Sequence, residues 1–176
     1  MRFTKVRGGL LRFVFLLIIY LVVSAQTDAP PKPCSSPEAG HFDFWLGKWE
    51  LTWNDTVTGT NIITKELDGC VVHENFSAPG TDFNGTSYSV YNATKNIWEQ
   101  TWVDNQGSFM NFTGGFENGK MTLGRSLVGP KGNHVMQRMV FYDIAKDSLK
   151  WSWESSLDSG QTWNQNWLIN YQRAPE

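Results

Sequence analysis

The residues that could do chemistry are few, and most of them are carboxylates on predicted strands. The sequence contains no G-x-S-x-G nucleophile elbow, no phosphate-binding loop, no metal-binding helix motif and no dinucleotide-binding fingerprint. His73 and Glu74 are adjacent on a predicted strand, so their side chains point to opposite faces and cannot form a dyad. Sequence alone sets no spacing between the carboxylates that could act as acid–base pairs: Glu66, Glu74, Asp104, Glu154 and Asp158.

Two charged residues, Glu74 and Arg125, are predicted to face the interior of the fold. If Asn75 faces outward, period-two alternation turns Glu74 inward, and the same alternation places Arg125 on the face of Met121 and Leu123. A charge inside a barrel is costly unless it is paired. Our hypothesis is that Glu74 and Arg125 pair with each other or bind a polar group of a ligand. The alternative is a strand phase wrong by one residue, which would leave these side chains solvated.

The elements that would position these residues are short strands separated by turn signals. From His41 onward, β-branched and aromatic runs alternate with Gly, Asn and Asp clusters. The pattern predicts one helical turn at 42–46 and strands at 48–57, 60–67, 70–76, 86–91, 97–104, 108–116, 120–126, 133–143, 149–157 and 163–173. Sequential hairpins favour closure, which removes exposed edges. We predict an all-β fold, a single up-and-down antiparallel β-barrel of about 8–10 strands, with the helical turn at its N-terminal closed end.

The predicted interior is unusually aromatic. The nine tryptophans exceed what a packed aliphatic core of this size needs, and tryptophan combines a large apolar area with a polar N–H group. Alternation places ten candidate ligand-binding residues inside: Glu74, Trp98, Gln100, Trp102, Met110, Phe112, Arg125, Trp151, Trp153 and Trp167. The last strand is expected to align Trp163, Gln165, Trp167, Ile169, Tyr171 and Arg173 on one face. The alternative is that these side chains fill the barrel completely.

The N-terminal segment is typical of a secretory signal peptide. Four basic residues precede the apolar run 13–23, and small residues follow at 24–25. We predict cleavage after Ala25, a Pro-rich lead at 26–40, a barrel domain at 41–176, and secretion. An uncleaved membrane anchor is the alternative, although the run is shorter than the ~20 residues that span a bilayer. Cleavage lowers the formal net charge from −2 to −6, so we expect neither nucleic acid nor a membrane as a partner of the mature chain.

Cysteines and sequons agree with an extracellular chain. In an oxidising compartment Cys34 and Cys70 are expected to form a disulfide, although two unrelated thiols are the alternative. Two cysteines and three scattered histidines have no ligand spacing, so no metal site is predicted. Five N-x-[ST] sequons are candidate glycosylation sites: Asn54, Asn75, Asn84, Asn92 and Asn111.

The opening of the first predicted strand resembles known barrel families. Gly47-Lys48-Trp49, with Arg173 near the end of the last strand, resembles the lipocalin and calycin signature. That resemblance implies a lipocalin-like barrel in which Trp49 and Arg173 pack together across the closed end. The longer stretch from His41 to Trp49 resembles an uncharacterised lipocalin-like family, which implies the fold and almost no chemistry. Asp68-Gly69-Cys70 and the segments 98–104 and 171–173 also match that family.

Two further resemblances limit the chemistry. Nitrobindin-like haem barrels also open with Leu-Gly-x-Trp, but their axial histidine lies in the last strands, where 163–171 contains none. Haem is therefore not expected, and no cofactor is predicted. The stretch 156–163 resembles the Asp-box of sialidases, which implies a hairpin in which Asp158 bonds the turn, Gly160 supplies a positive φ and Trp163 packs beneath.

Binding and catalysis both remain open from the sequence. The leading hypothesis is a secreted barrel that binds a small hydrophobic ligand in an aromatic-lined interior. The alternative is a small-molecule cyclase or isomerase in which Glu74, with a raised pKa, is the general acid or base. A weaker idea is sugar binding, which would require several tryptophans on the outer face. The sequence does not indicate the ligand or the oligomeric state.

Overall fold

The computed structural model describes residues 32–54, 56–129 and 132–175, with the side chain of Val57 left out. The predictions for residues 1–31 fall outside this part of the chain. They are the signal peptide, its cleavage after Ala25 and the first residues of the Pro-rich lead.

Ten antiparallel strands form a closed barrel. Each strand pairs with its neighbours in the sequence, and β10 returns to pair with β1. The strands are β1 Gly47–Trp53, β2 Val57–Glu66, β3 Val71–Ala78, β4 Phe83–Asn92, β5 Ile97–Asp104, β6 Phe109–Glu117, β7 Lys120–Val128, β8 His134–Tyr142, β9 Ser148–Ser156 and β10 Asn164–Arg173. The predicted all-β, up-and-down barrel is confirmed.

The turn between β1 and β2 lies earlier than predicted. Asn54 adopts a φ of +52° directly after β1, and the Thr56 hydroxyl donates to the Asn54 carbonyl at 3.2 Å. The side chain of asparagine tolerates this left-handed conformation better than most. Gly59, expected between the strands, lies inside β2, where a Cβ would approach the Ser77 carbonyl to 2.7 Å. The first predicted strand therefore extends four residues too far, and β2 begins three residues before the predicted start at residue 60.

One end of the barrel is closed by a tryptophan, an arginine and a glycine. The guanidinium of Arg173 lies 3.9 Å from the centre of the Trp49 ring and donates to the Leu46 carbonyl. Gly47 has a φ of +112°, and a Cβ there would lie 2.5 Å from the guanidinium. Glycine at this position therefore makes the close approach of Arg173 possible.

Two short 3₁₀ helices cover this closed end. The helical turn expected at 42–46 is present as Asp43–Trp45, and it buries Phe42 and Trp45 in the core. A second turn, Pro37–Gly40, lies in the segment predicted as an unstructured lead. Proline at its first position and the Ser36 hydroxyl, which accepts from a backbone N–H, favour this start.

A disulfide between Cys34 and Cys70 ties the lead to the barrel. The two Cα atoms are 5.1 Å apart, and the bridge spans 36 residues of sequence. Cys70 directly precedes β3, so the bridge joins the N-terminal lead to the barrel wall, and the predicted disulfide is confirmed.

The prediction that Trp163 and Gln165 share the inward face of Trp167 is wrong, because β10 contains a bulge. Gln165 pairs with Glu154, but the next pair joins Trp167 to Trp153, so one extra residue is inserted. The insertion reverses the alternation. Gln165 is exposed, and Trp163 lies under the guanidinium of Arg138 on the outer face, 3.8 Å from it.

The other strand phases agree with the predicted alternation. In β3, Val72, Glu74 and Phe76 are buried, whereas Asn75 is exposed. The same alternation turns the inward residues of β5, β6 and β7 toward a shared interior. Their outward neighbours are half-buried or exposed, and Asn111 is exposed.

Candidate functional site

The barrel interior contains a cavity of about 300 Å³. It extends from the plug, which we define as the two 3₁₀ helices Pro37–Gly40 and Asp43–Trp45 with Phe42 at the closed end, toward the opposite end, where β1 meets β2 and β3 meets β4. Its wall is mostly aromatic and aliphatic, with four polar or charged side chains among the residues that line it: Trp45, Glu74, Phe76, Phe83, Gln100, Trp102, Met110, Phe112, Arg125, Gln137, Met139, Phe141, Trp151, Trp153, Trp167, Ile169 and Tyr171.

Glu74 is the acidic group of the cavity wall. Its Oε1 accepts from Asn61 Nδ2 at 2.7 Å, and its Oε2 accepts from Ser87 Oγ at 2.6 Å. These partners lie on β2 and β4, the two strands that flank β3. Burial raises the pKa of Glu74 to about 7, against the lowering effect of the hydrogen bonds from Ser87 and Asn61. The carboxyl group can therefore hold or release a proton near neutral pH.

Tyr171 extends this polar cluster toward the plug. Asn61 Nδ2 also donates to the Tyr171 hydroxyl at 3.2 Å. Burial, followed by the charge of Glu74, raises the pKa of Tyr171 above its ordinary value, so the phenol remains protonated. Asn61 Oδ1 is buried without a hydrogen-bond partner among the described residues. The polar cluster thus retains unused hydrogen-bonding capacity.

Gln100 on β5 adds a further polar group to the cavity wall. Its Nε2 donates to Ser89 Oγ at 2.8 Å, and both residues are buried. Among the described residues its Oε1 has no hydrogen-bond donor. This carbonyl is a second hydrogen-bond acceptor in the cavity wall, in addition to the carboxyl group of Glu74.

Three tryptophans on β9 and β10 form a broad part of the cavity wall. Trp151 and Trp153 are stacked with ring centres 6.5 Å apart, and Trp167 meets Trp151 edge to face at 5.6 Å. Phe112 meets Trp153 edge to face at 5.7 Å. Such rings offer flat surfaces that suit a planar or cyclic apolar body.

Arg125 is the basic group of the wall. Its Nε donates to Gln137 Oε1 at 2.8 Å across the β7–β8 pair, and its guanidinium lies 5.3 Å from the centre of the Phe112 ring. Partial burial lowers the pKa of Arg125, but a guanidinium stays charged in proteins. Its predicted pairing with Glu74 is not among the ion pairs of the described residues.

Nine of the ten residues predicted to face a ligand line the cavity, and Trp98 does not. Trp98 points inward, but it lies at the closed end, where it meets Phe42 edge to face at 4.8 Å. Its Nε1 donates to the Glu38 carbonyl at 3.2 Å. Alternation correctly predicts that Trp98 faces inward. Its position along the barrel axis depends on the packing of the plug, which alternation does not predict.

Sequence reasoning missed several wall residues and the partners of Glu74. Gln137 and Met139 follow the same alternation on β8 and could have been found from it. Asn61 and Ser87 could not, because their contact with Glu74 depends on the register of β2 and β4 against β3.

Asp158 and Gly160 lie in the turn before β10. Asp158 accepts from the backbone N–H and the hydroxyl of Thr162 at 2.9 and 2.6 Å. These bonds, with one from Ser156, hold the pKa of Asp158 at about 2. Gly160 has a φ of +86°, and its carbonyl accepts from Trp163 Nε1 at 3.0 Å. The contacts describe a turn on the outside of the barrel.

A Glu–His–Thr arrangement on the outer face has the spacing of a catalytic triad but not its proton arrangement. His73 Nδ1 lies 2.7 Å from Glu66 Oε1, and Nε2 lies 2.9 Å from Thr86 Oγ1. The Thr86 hydroxyl, however, donates its hydrogen to the Glu74 carbonyl at 2.6 Å. A hydroxyl in that state is not activated by the histidine, so this cluster connects β3 to β4.

The candidate glycosylation sites differ in exposure. Asn54, Asn75, Asn84 and Asn111 are exposed. Asn92 is half-buried, and its Nδ2 donates to Glu99 at 3.1 Å.

No protein-family model matches the chain, and no curated protein sequence matches it. Within the described residues, no helix is long and apolar enough to cross a membrane. In the same part of the chain, no group of three His, Cys, Asp or Glu side chains could hold a metal ion. The cavity must therefore be interpreted from its own geometry.

Proposed function

We propose that the protein binds a small hydrophobic molecule inside the barrel. The observation that supports this most is the cavity of about 300 Å³, walled by aromatic rings, with the carboxyl group of Glu74 in its wall. Ligand sites in proteins are typically apolar cavities of ~300–1,000 Å³ with a few well-placed polar groups. A barrel filled completely by its own side chains would leave no such space.

The volume and the wall together describe the ligand. A cavity of about 150 Å³ accommodates benzene, so this one suits a body of about two rings. The tryptophan wall favours a flat or cyclic body, and Glu74 and Gln100 favour a hydrogen-bonding group on it. A hydrocarbon alone would leave these polar groups without partners.

Secretion belongs to the same proposal. The disulfide between Cys34 and Cys70 supports it, because such bonds persist in oxidising compartments. The interpretation as a lipocalin-like protein is likewise a proposal, supported by the barrel and by the contact of Trp49 with Arg173. The intact mass of the secreted protein tests this. A mass that corresponds to a chain beginning at Gln26 would support cleavage, and a mass that includes residues 1–25 would contradict it.

Binding can be tested by blocking the cavity. Native mass spectrometry with solvent extraction would reveal a bound molecule, and naphthalene titrated by calorimetry would probe the empty cavity. Met110→Trp replaces a flexible thioether in the wall with a bulky indole ring, and we expect it to weaken naphthalene binding at least roughly tenfold. Thr113→Trp adds the same ring to an exposed position of the same strand and should leave binding unchanged. Equal binding by both variants would refute an interior site.

Catalysis is a second candidate, because Glu74 is a buried carboxyl group with a pKa of about 7. A general acid or base works best when its pKa lies near the working pH. Such an enzyme would isomerise or cyclise the bound molecule, and Glu74→Gln would abolish turnover while retaining binding. If the extracted molecule is unchanged after incubation with the wild-type protein, binding alone describes the function.

A further inference from the structure

Arg125 has donors that the protein does not use. Its Nε bonds Gln137, but the structure shows no protein acceptor for either Nη among the described residues. No carboxylate of those residues lies within ion-pair distance of it either. By contrast, Arg138 on the outer face pairs with Glu154 at 2.6 Å. A half-buried cation in a cavity wall is costly unless a partner compensates it.

Gln137 supplies a second donor at the same place. Because its Oε1 accepts from Arg125, its Nε2 has two hydrogens available, and both residues line the cavity. The Phe112 ring lies against the guanidinium and restricts its orientation. The result is a set of donors without acceptors, which is the arrangement that binds a carboxylate through two oxygens.

We infer that Arg125 and Gln137 form an anion-binding subsite and that the ligand is an apolar carboxylic acid, bound as its carboxylate. This inference rests on the proposed function, since it requires the cavity to hold a ligand. The acid group lies at Arg125, which is past the middle of β7 toward the end opposite the plug. The apolar body extends inward between the aromatic rings.

The placement of charge excludes the reverse orientation. Glu74 accepts hydrogen bonds at both carboxyl oxygens and is negative when ionised, so it repels a second carboxylate. No cation of the described residues lines the cavity besides Arg125. The inner end therefore suits an apolar group or a neutral hydroxyl, and the acid group belongs at Arg125.

The test compares probes that share one apolar body. Naphthalene and naphthoate are titrated into the wild-type protein and into Arg125→Met. This variant keeps an apolar stem but removes the charge. We expect naphthoate to bind the wild type at least roughly tenfold more tightly than naphthalene does, since charged hydrogen bonds are the stronger class. Arg125→Met should erase that preference, so that the variant binds naphthoate no more tightly than naphthalene.

Lys120→Met is the matched control. Lys120 is exposed on the same strand, so the variant loses the same charge without changing the cavity. If Lys120→Met weakens naphthoate binding as much as Arg125→Met does, the loss reflects the net charge of the protein, and the subsite is refuted. If naphthalene binds and naphthoate shows no preference, the inference fails while the proposed function stands. If no probe binds, both fail.

Discussion

Burial of Glu74 makes the stability of the barrel depend on pH in a definite direction. In the unfolded chain the carboxyl group titrates near 4.5, and in the folded protein near 7. The folded state therefore holds a proton that the unfolded state has released, and the associated stability is lost as the pH rises through about 7. The full difference amounts to about 3 kcal/mol at 1.36 kcal/mol per unit, and about 2.5 kcal/mol of it is lost between pH 5 and pH 8.

Glu74→Gln should remove this dependence. Glutamine keeps the shape of the side chain, and the Ser87 hydroxyl can reverse its hydrogen bond to suit an amide. We therefore expect the free energy of unfolding of the variant, relative to that of the wild type, to increase by about 2.5 kcal/mol when the pH rises from 5 to 8. With slopes of ~1–3 kcal/mol per molar urea, the relative shift of the unfolding midpoint is about 0.8–2.5 M.

The assay is urea denaturation of both proteins at the two pH values, with the disulfide intact. Taking the difference of differences cancels the titration of all other groups. Glu99→Gln is the control, because Glu99 lies on the outer face beside Lys95 and its pKa is lowered. Its linked stability is lost only at acidic pH, so this variant should follow the wild type from pH 5 to pH 8. A double difference below about 1 kcal/mol, or one of opposite sign, would refute the buried state of Glu74.

Two further predictions concern the frame that holds the cavity. Reduction of the Cys34–Cys70 bridge, which spans 36 residues, should lower the free energy of unfolding by about 4 kcal/mol in the chain-entropy description. Urea midpoints with and without reductant measure it, and equal midpoints would show that the bridge adds nothing. Gly47→Ala should destabilise the closed end by more than about 1 kcal/mol, since φ is +112° and the new Cβ meets Arg173. Thermal unfolding that matches that of the wild type would contradict the packing described for this end.

Local patterns in the sequence were sufficient for the architecture and for most of the wall. Alternation in β3 and β7 correctly turned Glu74 and Arg125 inward, because each strand has one face toward the core and one toward solvent. Alternation failed at Gln165, where the bulge reverses the faces. No feature of that segment distinguishes a regular strand from a bulged one, since the extra residue is defined only against β9.

The sequence was enough to predict a closed barrel with an aromatic interior, because strand periodicity and turn residues act over a few positions. Tertiary structure alone decided the state of the polar groups inside it. The pKa of Glu74 is raised because the closed barrel buries its carboxyl group, and the hydrogen bonds from Asn61 and Ser87, which β2 and β4 bring beside it, oppose that rise. Arg125 faces the cavity without a carboxylate of the described residues because β3 and β7 lie apart in the barrel. Both outcomes depend on register and closure, which join residues far apart in the chain.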